Sequence, residues 1–432
     1  MSEIAHVRGW EAFDSRGTPT VGCTVTLRDG SAGRAVAPSG ASTGRYEAHE
    51  LRDEDANRFE GRGVSRAVRN VGTELADAVR GMDAREWRAV DARLAAADGT
   101  ESMERLGANA VLAVSLASCI AGAASERTPL HVHLGEGRGD LEIPLPMVNV
   151  VSGGAHASGA IDLQDVLVVP LAAGTFAEAI AWAWQVRRGT RLEAEERGMP
   201  TALVADEGGL GLPLARNEDA FEIVVSGAHR AGLEPGVDVA LAVDVAANQL
   251  QDGDAYRLAV EGRALDSDEL GAQVAAWCEA YPIVSVEDAL SDDDWSGWTS
   301  LADRLPAHVQ LLGDDLFVTN AERIRRGYES KAANAVLLKP NQAGTLARTE
   351  QALLTARDSG YRTVLSARSG DTEDPWLADL GVGWRTGQIK VGSTMRSERT
   401  AKWNRLLEIE AEVEAGGGTS RLATPFRDGT AP

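Results

Sequence analysis

Cysteine is scarce in this chain: three residues in 432, Cys23, Cys119 and Cys278, far apart and none in a CxxC pair. That spacing offers no disulfide framework and leaves reduced, structural thiols, as in a cytoplasm. Basic charge is short as well, with 43 Lys and Arg against 65 Asp and Glu and a net charge of −22. Such a balance excludes non-specific binding of nucleic acid or of an anionic membrane surface. The N-terminal stretch from Met1 to Trp10 lacks the basic start and apolar core of a signal peptide. A membrane-length apolar run is missing too. The nearest, residues 108–125, is mainly Ala and Ser with Asn109 inside, and reads as a buried helix rather than a span. A cytoplasmic protein is expected, and any small anionic molecule it holds must be met by locally gathered cations.

Core material is ample. A hydrophobic fraction of 44% with ten Trp excludes global disorder, and the length predicts two or three domains. Residues 3–37 alternate in the manner of strands, with turn signals at Arg16-Gly17 and Asp29-Gly30, which predicts an antiparallel meander. Pro38-Ser-Gly-Ala-Ser-Thr-Gly44 then interrupts it with small residues whose hydroxyls and amides can close over an anion or a metal. Residues 63–127 read as helical, with breaks near Asp98-Gly99 and Gly107. His131 and His133 form an HxH pair without a third ligand nearby, and are read as structural or solvated. Periodicity lapses at 135–140. The expected class is α/β: a small N-terminal α+β capping domain over 1–138, a (β/α)8 barrel over 139–415, and a tail over 416–432, mobile or lying along a neighbour.

The barrel is expected from a recurring pattern. Ala335-Val-Leu-Leu-Lys-Pro-Asn-Gln puts Lys339 at the end of an apolar run, where a buried strand meets a turn. Other runs end in the same way at Asp244, Glu287, Asp314 with Asp315, Arg368 and Lys390. Helical stretches such as 321–331 and 344–360 alternate with them, so a parallel sheet with crossover helices is predicted. Closed into a barrel, such a sheet carries its active site at the carboxyl ends of its strands. One charged residue after a strand is ordinary loop chemistry. Their recurrence in successive units predicts one rim that collects Asp244, Glu287, Asp314, Lys339 and Lys390. Hard oxygen ligands from separate strands suit Mg²⁺. Two lysines facing it suit proton removal and the holding of an oxyanion. The barrel opens at 146–156, ending in His156; Gln164 and Asp165 precede a strand at 166–169; and 176–198 reads as a long amphipathic helix in which Trp182 and Trp184 are packing residues.

Five long motifs sharpen this. Asp14-Ser-Arg-Gly-Thr-Pro-Thr-Val, Pro38-Ser-Gly-Ala-Ser-Thr-Gly, Ala205-Asp-Glu-Gly-Gly, Gly313-Asp-Asp-Leu-Phe-Val-Thr-Asn and Gly387-Gln-Ile-Lys-Val-Gly occur in the order of the enolase family, which the chain resembles from near its first residue to about Glu414. The resemblance implies two Mg²⁺ sites. Asp244, Glu287 and Asp314 would hold the first, and Ser39, on a lid loop, would help form a second that substrate completes. It makes Lys339 the base, its pKa lowered by cationic surroundings, with Lys390 opposite. Glu207 becomes the acid that protonates the leaving hydroxyl, in a network that includes Asp165, beside Gly208 and Gly209, which allow unusual backbone angles. His156 and Gln164 then lie next to the substrate, and Arg368 and Ser369 hold its phosphoryl group. Homodimers or larger rings are implied as well.

The chain also departs from the family. Ser366-Ala-Arg-Ser-Gly-Asp-Thr stands where the family reads Ser-His-Arg-Ser-Gly-Glu-Thr, so Ala367 replaces an active-site histidine, and Asp165 replaces a glutamate. An imidazole reduced to a methyl removes a donor and leaves space beside the phosphoryl site. Three readings follow. One is an ordinary glycolytic enolase interconverting 2-phosphoglycerate and phosphoenolpyruvate. Another is a specialised paralogue of the carboxyphosphonoenolpyruvate synthase type, taking a phosphono-substrate in phosphonate natural-product biosynthesis. The third is a catalytically impaired binding protein, against which the retained carboxylates and lysines argue.

Overall fold

The computed structural model describes residues 2–40, 44–135 and 141–426. β1 (Ile4–Phe13), β2 (Pro19–Leu27) and β3 (Ala32–Val36) form the expected antiparallel meander. Gly17 and Gly30 make its turns at φ 72° and 90°, where glycine alone is unstrained. The helical region includes Trp87–Asp98 and Ala108–Glu126, broken at Gly99 and Gly107 as its pattern predicts. By length and composition Ala108–Glu126 is long and apolar enough to cross a membrane, yet 83% of that window is buried inside the fold. It lies against β2 and β3 so closely that a Cβ on Gly33 would stand 2.1 Å from the Ala117 carbonyl oxygen. Val111, Leu112 and Leu116 on it are at most 1% exposed. Burying each such side chain stabilises the fold by about 1.5–3 kcal/mol, so this is a core helix.

After β4 (Leu141–Ile143) come β5 (Leu145–Ser152), β6 (Asp165–Val169), β7 (Leu210–Gly211) and β8 (Ala240–Asp244). A separate small sheet follows, made of β9 (Gln251–Asp252), β10 (Ala255–Leu258) and β11 (Arg263–Leu265). The main sheet resumes with β12 (Ile283–Glu287), β13 (Gln310–Gly313), β14 (Ala335–Leu338), β15 (Arg362–Ser366) and β16 (Gln388–Gly392). β16 pairs with β5 and so closes a barrel of 8 strands, namely β5, β6, β8 and β12 to β16. Helices Ala321–Ser330 and Leu346–Asp358 are crossovers on its outside. Inside, the fully buried Gln310 and Gln388 exchange amide hydrogen bonds at 2.8 and 3.3 Å, which satisfies polar groups that water cannot reach.

The alternation predicts a parallel sheet, and the barrel departs from it at one strand: β6 runs antiparallel to both β5 and β8. Its connection from β5 contains the short turn Gly154–Ala157 and no crossover helix, and parallel pairing needs a crossover. The reversal brings the start of β6 to the rim where its neighbours end, with Asp165 in register with Ser152 on one side and Asp244 on the other. Trp182 packs on the core, but Trp184 is 54% exposed and does not. Ser420–Leu422, in the expected tail, forms β17 and pairs with β4. Residues 136–140 of the expected junction, 41–43 of the expected lid and 427–432 of the tail lie outside the described residues.

Candidate active site

Asp244 and Glu287 end adjacent strands β8 and β12, each 2% exposed. Lys390 reaches them from β16 across the barrel, its Nζ 2.8 Å from Asp244 Oδ2 and 2.6 Å from Glu287 Oε2. Burial alone would drive this ammonium towards neutrality, but Asp244 and Glu287 outweigh it and hold Lys390 well above the usual lysine range. Lys339, just after β14, pairs with Asp314, just after β13. One expectation is corrected here. The surroundings of Lys339 are anionic rather than cationic, and although burial and the Arg368 charge oppose its ammonium, Asp314 and Glu287 raise its pKa. Asp288 shapes the rim from beneath, accepting the backbone N–H groups of Asp314 and Asp315 at 2.9 Å each. Burial and the neighbouring Asp314 push the Asp315 carboxyl up to about 7.

A second group gathers where β6 begins. His156 Nδ1 lies 2.9 Å from Asp165 Oδ2, and the other Asp165 oxygen accepts from Ser152 Oγ at 2.8 Å and from the Asn149 amide. Burial lowers the affinity of His156 for a proton, but the Asp165 charge outweighs it and holds the imidazole at about 9. Glu207 comes in so that it, His156 and Asp165 present polar atoms within 4.8 Å of one another. Behind Glu207 stands the guanidinium of Arg399, 3.7 Å away and fully buried. The two glycines that follow Glu207 serve different ends. Gly208 adopts φ 85°, whereas Gly209 is needed for close approach, since a Cβ there would lie 2.4 Å from Ser152 Oγ. Gln164 links the two groups, donating to Asp244 Oδ2 at 3.0 Å and accepting from Gln249 at 2.6 Å.

Arg368 and Ala367 follow β15, with exposures of 5% and 6%. Arg368 Nη1 pairs with Glu47 at 2.8 Å, so a carboxylate from the N-terminal domain occupies the guanidinium expected to hold a phosphoryl group. Ser369 lies beside it, and its carbonyl accepts from Arg399 at 2.6 Å. Together with His156, Gln164, Glu207, Asp244, Asp314, Lys339 and Lys390 these residues line one cavity of about 50 Å³. With Glu47 on its guanidinium, Arg368 is free for a phosphoryl group only when that carboxylate is displaced. Ser39 stands apart. Its hydroxyl donates to Asp14 at 2.6 Å, and it is not among the cavity's lining residues.

The donor set fits Mg²⁺. Asp244, Glu287 and Asp314 are buried carboxylates whose ion pairs among the described residues are with two lysine ammonium groups, and Asp288, Asp314 and Asp315 bring oxygens within 4.8 Å of one another. Such a concentration of buried carboxylate needs more positive charge than Lys339 and Lys390 supply. Sequence reasoning missed Glu47, Asn149, Asp288 and Arg399. Only the last left a legible signal, because Arg399 shares its helical face with Trp403, Leu406 and Ile409, and a charge on an apolar stripe marks a buried partner.

Two family models cover nearly the whole chain. Residues 4–134 match the one described as "Enolase, N-terminal domain", and residues 140–420 the one described as "Enolase, C-terminal TIM barrel domain".

Proposed function

The chain belongs to the enolase family, a hydro-lyase by that membership, and from this premise we propose that it eliminates water from a 2-phosphoglycerate-like substrate in an Mg²⁺-dependent reaction, as a specialised paralogue of the carboxyphosphonoenolpyruvate synthase type in phosphonate natural-product biosynthesis. Asp244, Glu287 and Asp314 would hold one Mg²⁺, and Ser39 would help complete a second site with the substrate after its bond to Asp14 is exchanged. Bound there, the ions supply positive charge that polarises the substrate carboxylate and stabilises the dianion left by proton removal.

Lys339 removes the proton beside the carboxylate, and its Nζ–H bond forms as the C–H bond breaks. It must first be neutral, which its pairing with Asp314 opposes, so Asp314 has to be engaged elsewhere during turnover. Lys390, held charged by Asp244 and Glu287, faces the developing oxyanion. Glu207 gives its proton to the leaving hydroxyl, which departs as water while the enol double bond forms. Arg399 behind it and the Asp165–His156 pair beside it orient that carboxyl. Arg368 and Ser369 bind the phosphorus group after it displaces Glu47. A homodimer or larger homo-oligomer in the cytoplasm belongs to the same proposal.

The observation that supports a specialised substrate is Ala367, a buried methyl lining the cavity next to Arg368. The retained set of Lys339, Lys390, Glu207, Arg368 and Ser369 favours a second reading, ordinary conversion of 2-phosphoglycerate to phosphoenolpyruvate. Parallel kinetics on 2-phosphoglycerate and its carboxyphosphono analogue separate the two. Ala367→His is expected to raise kcat/KM for 2-phosphoglycerate and lower it for the analogue, each by roughly tenfold. Asp165→Glu acts in the same direction, and the pair need not be additive within one site. Wild-type turnover of 2-phosphoglycerate at about 10 s⁻¹ or more, with none of the analogue, would show Ala367 to be a tolerated substitution.

A further inference from the structure

The loop that carries Asp314 places two β-branched residues in left-handed backbone, Val318 at φ 42° and Thr319 at φ 54°. Glycine or asparagine fills such positions without strain, so a threonine there is kept for its hydroxyl. That hydroxyl is turned inward, with Thr319 only 3% exposed. It accepts the backbone N–H of Lys339 at 2.8 Å and donates to Gln342 Oε1 at 2.6 Å. The Gln342 amide in turn donates to Asp314 Oδ1 at 2.8 Å, and Asp314 Oδ2 pairs with the Lys339 ammonium. The ring closes on Lys339 from both ends, main chain and side chain.

Only one direction of donation satisfies this ring. A backbone N–H can do nothing but donate, so the Thr319 hydroxyl accepts it and has a single proton left, which goes to Gln342 Oε1. That fixes the amide with its NH₂ towards Asp314, which accepts at both oxygens. Neither Thr319 nor Gln342 lines the cavity that contains Lys339. The loop conformation is fixed independently by packing, since Leu316 and Phe317 are fully buried and the N–H of Val318 bonds the Asp314 carbonyl at 2.7 Å.

We propose that Thr319 and Gln342 are positioning residues for Lys339: the strained loop and the Thr319 hydroxyl on the Lys339 N–H fix the main chain from which the amine reaches the carbon it deprotonates, and Gln342 anchors that hydroxyl and Asp314 Oδ1, bonds that persist when the Asp314–Lys339 ion pair is broken in turnover. The inference rests on Lys339 being the base. Its test uses the full-length protein with Mg²⁺ and whichever of the two substrates wild type turns over, reading exchange of the substrate α-proton with deuterium. Thr319→Val keeps the shape and removes the hydroxyl, and is expected to slow exchange about 100-fold with KM nearly unchanged, the size of effect that a misplacement of ~1 Å produces. Thr319→Ser restores most of the rate. Gln342→Met slows exchange without disturbing the Lys339 N–H, and carries the test if Thr319→Val does not fold. A second readout needs no metal or turnover: site-resolved amide hydrogen exchange on the metal-free protein, where the Lys339 N–H loses protection in Thr319→Val and keeps it in Thr319→Ser. Wild-type exchange rates in Thr319→Val or Gln342→Met, or a Thr319→Ser protein as slow as Thr319→Val, overturn the positioning role alone. Wild-type exchange in Lys339→Ala overturns the assignment of the base, and this inference with it.

Discussion

Four lysines occur among the 43 basic residues, and three of them face carboxylates in the interior: Lys339 on Asp314, Lys390 on Asp244 and Glu287, and Lys402 on Asp371 at 2.6 Å. Arginine supplies most of the positive charge elsewhere, on the surface and also in the interior at Arg368 and Arg399. His156 likewise faces a carboxylate, Asp165. Its folded pKa of about 9 lies above its unfolded value, so its ion pair with Asp165 contributes stability that is complete below about pH 6.5 and is lost as pH rises through 9. In metal-free protein, urea unfolding should show wild type more stable than His156→Gln by on the order of 2–3 kcal/mol at pH 6.5, a margin that shrinks by pH 9.5. A margin that stays constant over that range would mean that the imidazole is not held protonated by Asp165.

Among the elements, the helix Trp87–Asp98 of the N-terminal domain lies against Leu346–Asp358 of the barrel, and Asp91 is caught between them. Its Oδ2 accepts the Ala347 N–H at 2.8 Å, its Oδ1 has no hydrogen-bond partner among the described residues, and Glu350 nearby is already paired with Arg88 at 2.6 and 2.7 Å. Burial pushes the Asp91 carboxyl up to about 7. The folded state therefore keeps a proton that the unfolded chain releases, and stability falls as pH rises from about 4 through 7. Asp91→Asn keeps the acceptor and removes the charge, so it should stabilise the protein at pH 8 by on the order of 2–4 kcal/mol and change little at pH 4, measured by urea unfolding. Equal effects at both pH values would place the Asp91 charge outside the folding equilibrium. Neither this contact nor the reversed β6 was legible in the sequence, because each depends on partners that meet only after folding. Lys339, Lys390 and the carboxylates at Asp244, Glu287 and Asp314 were legible, since each breaks an apolar run at the point where a strand leaves the core. Asp165 was found as a residue just ahead of a strand, and the direction of that strand, which alone brings it to the rim, left no local mark.

In the whole molecule, the N-terminal domain closes one side of the barrel rim. Glu47 reaches Arg368, Ser39 bridges to Gly370, Ser15 Oγ donates to the Ser369 carbonyl at 3.2 Å, and Arg396 donates to the Ser15 carbonyl at 2.7 Å. The loops that meet there come from both ends of the chain, so the site exists only in the fully folded state. A cation that binds those buried carboxylates and finds no such cluster in the unfolded chain must stabilise the fold by mass action. At about 100 times its dissociation constant Mg²⁺ adds about 2.7 kcal/mol, which for a chain of this length corresponds to a rise in Tm of about 3 °C, reversed by chelator. Asp244→Ala, Glu287→Ala and Asp314→Ala should each remain folded without metal and lose most of that rise. The lysines set the sign of the apo effect: removing Asp314 frees Lys339 from its partner, whereas removing Asp244 leaves Lys390 still paired with Glu287, so Asp314→Ala should lower the metal-free Tm more. Should all three variants keep the full Mg²⁺ shift, the cation is binding elsewhere on an acidic surface, and the rim carboxylates serve only to hold the two lysines.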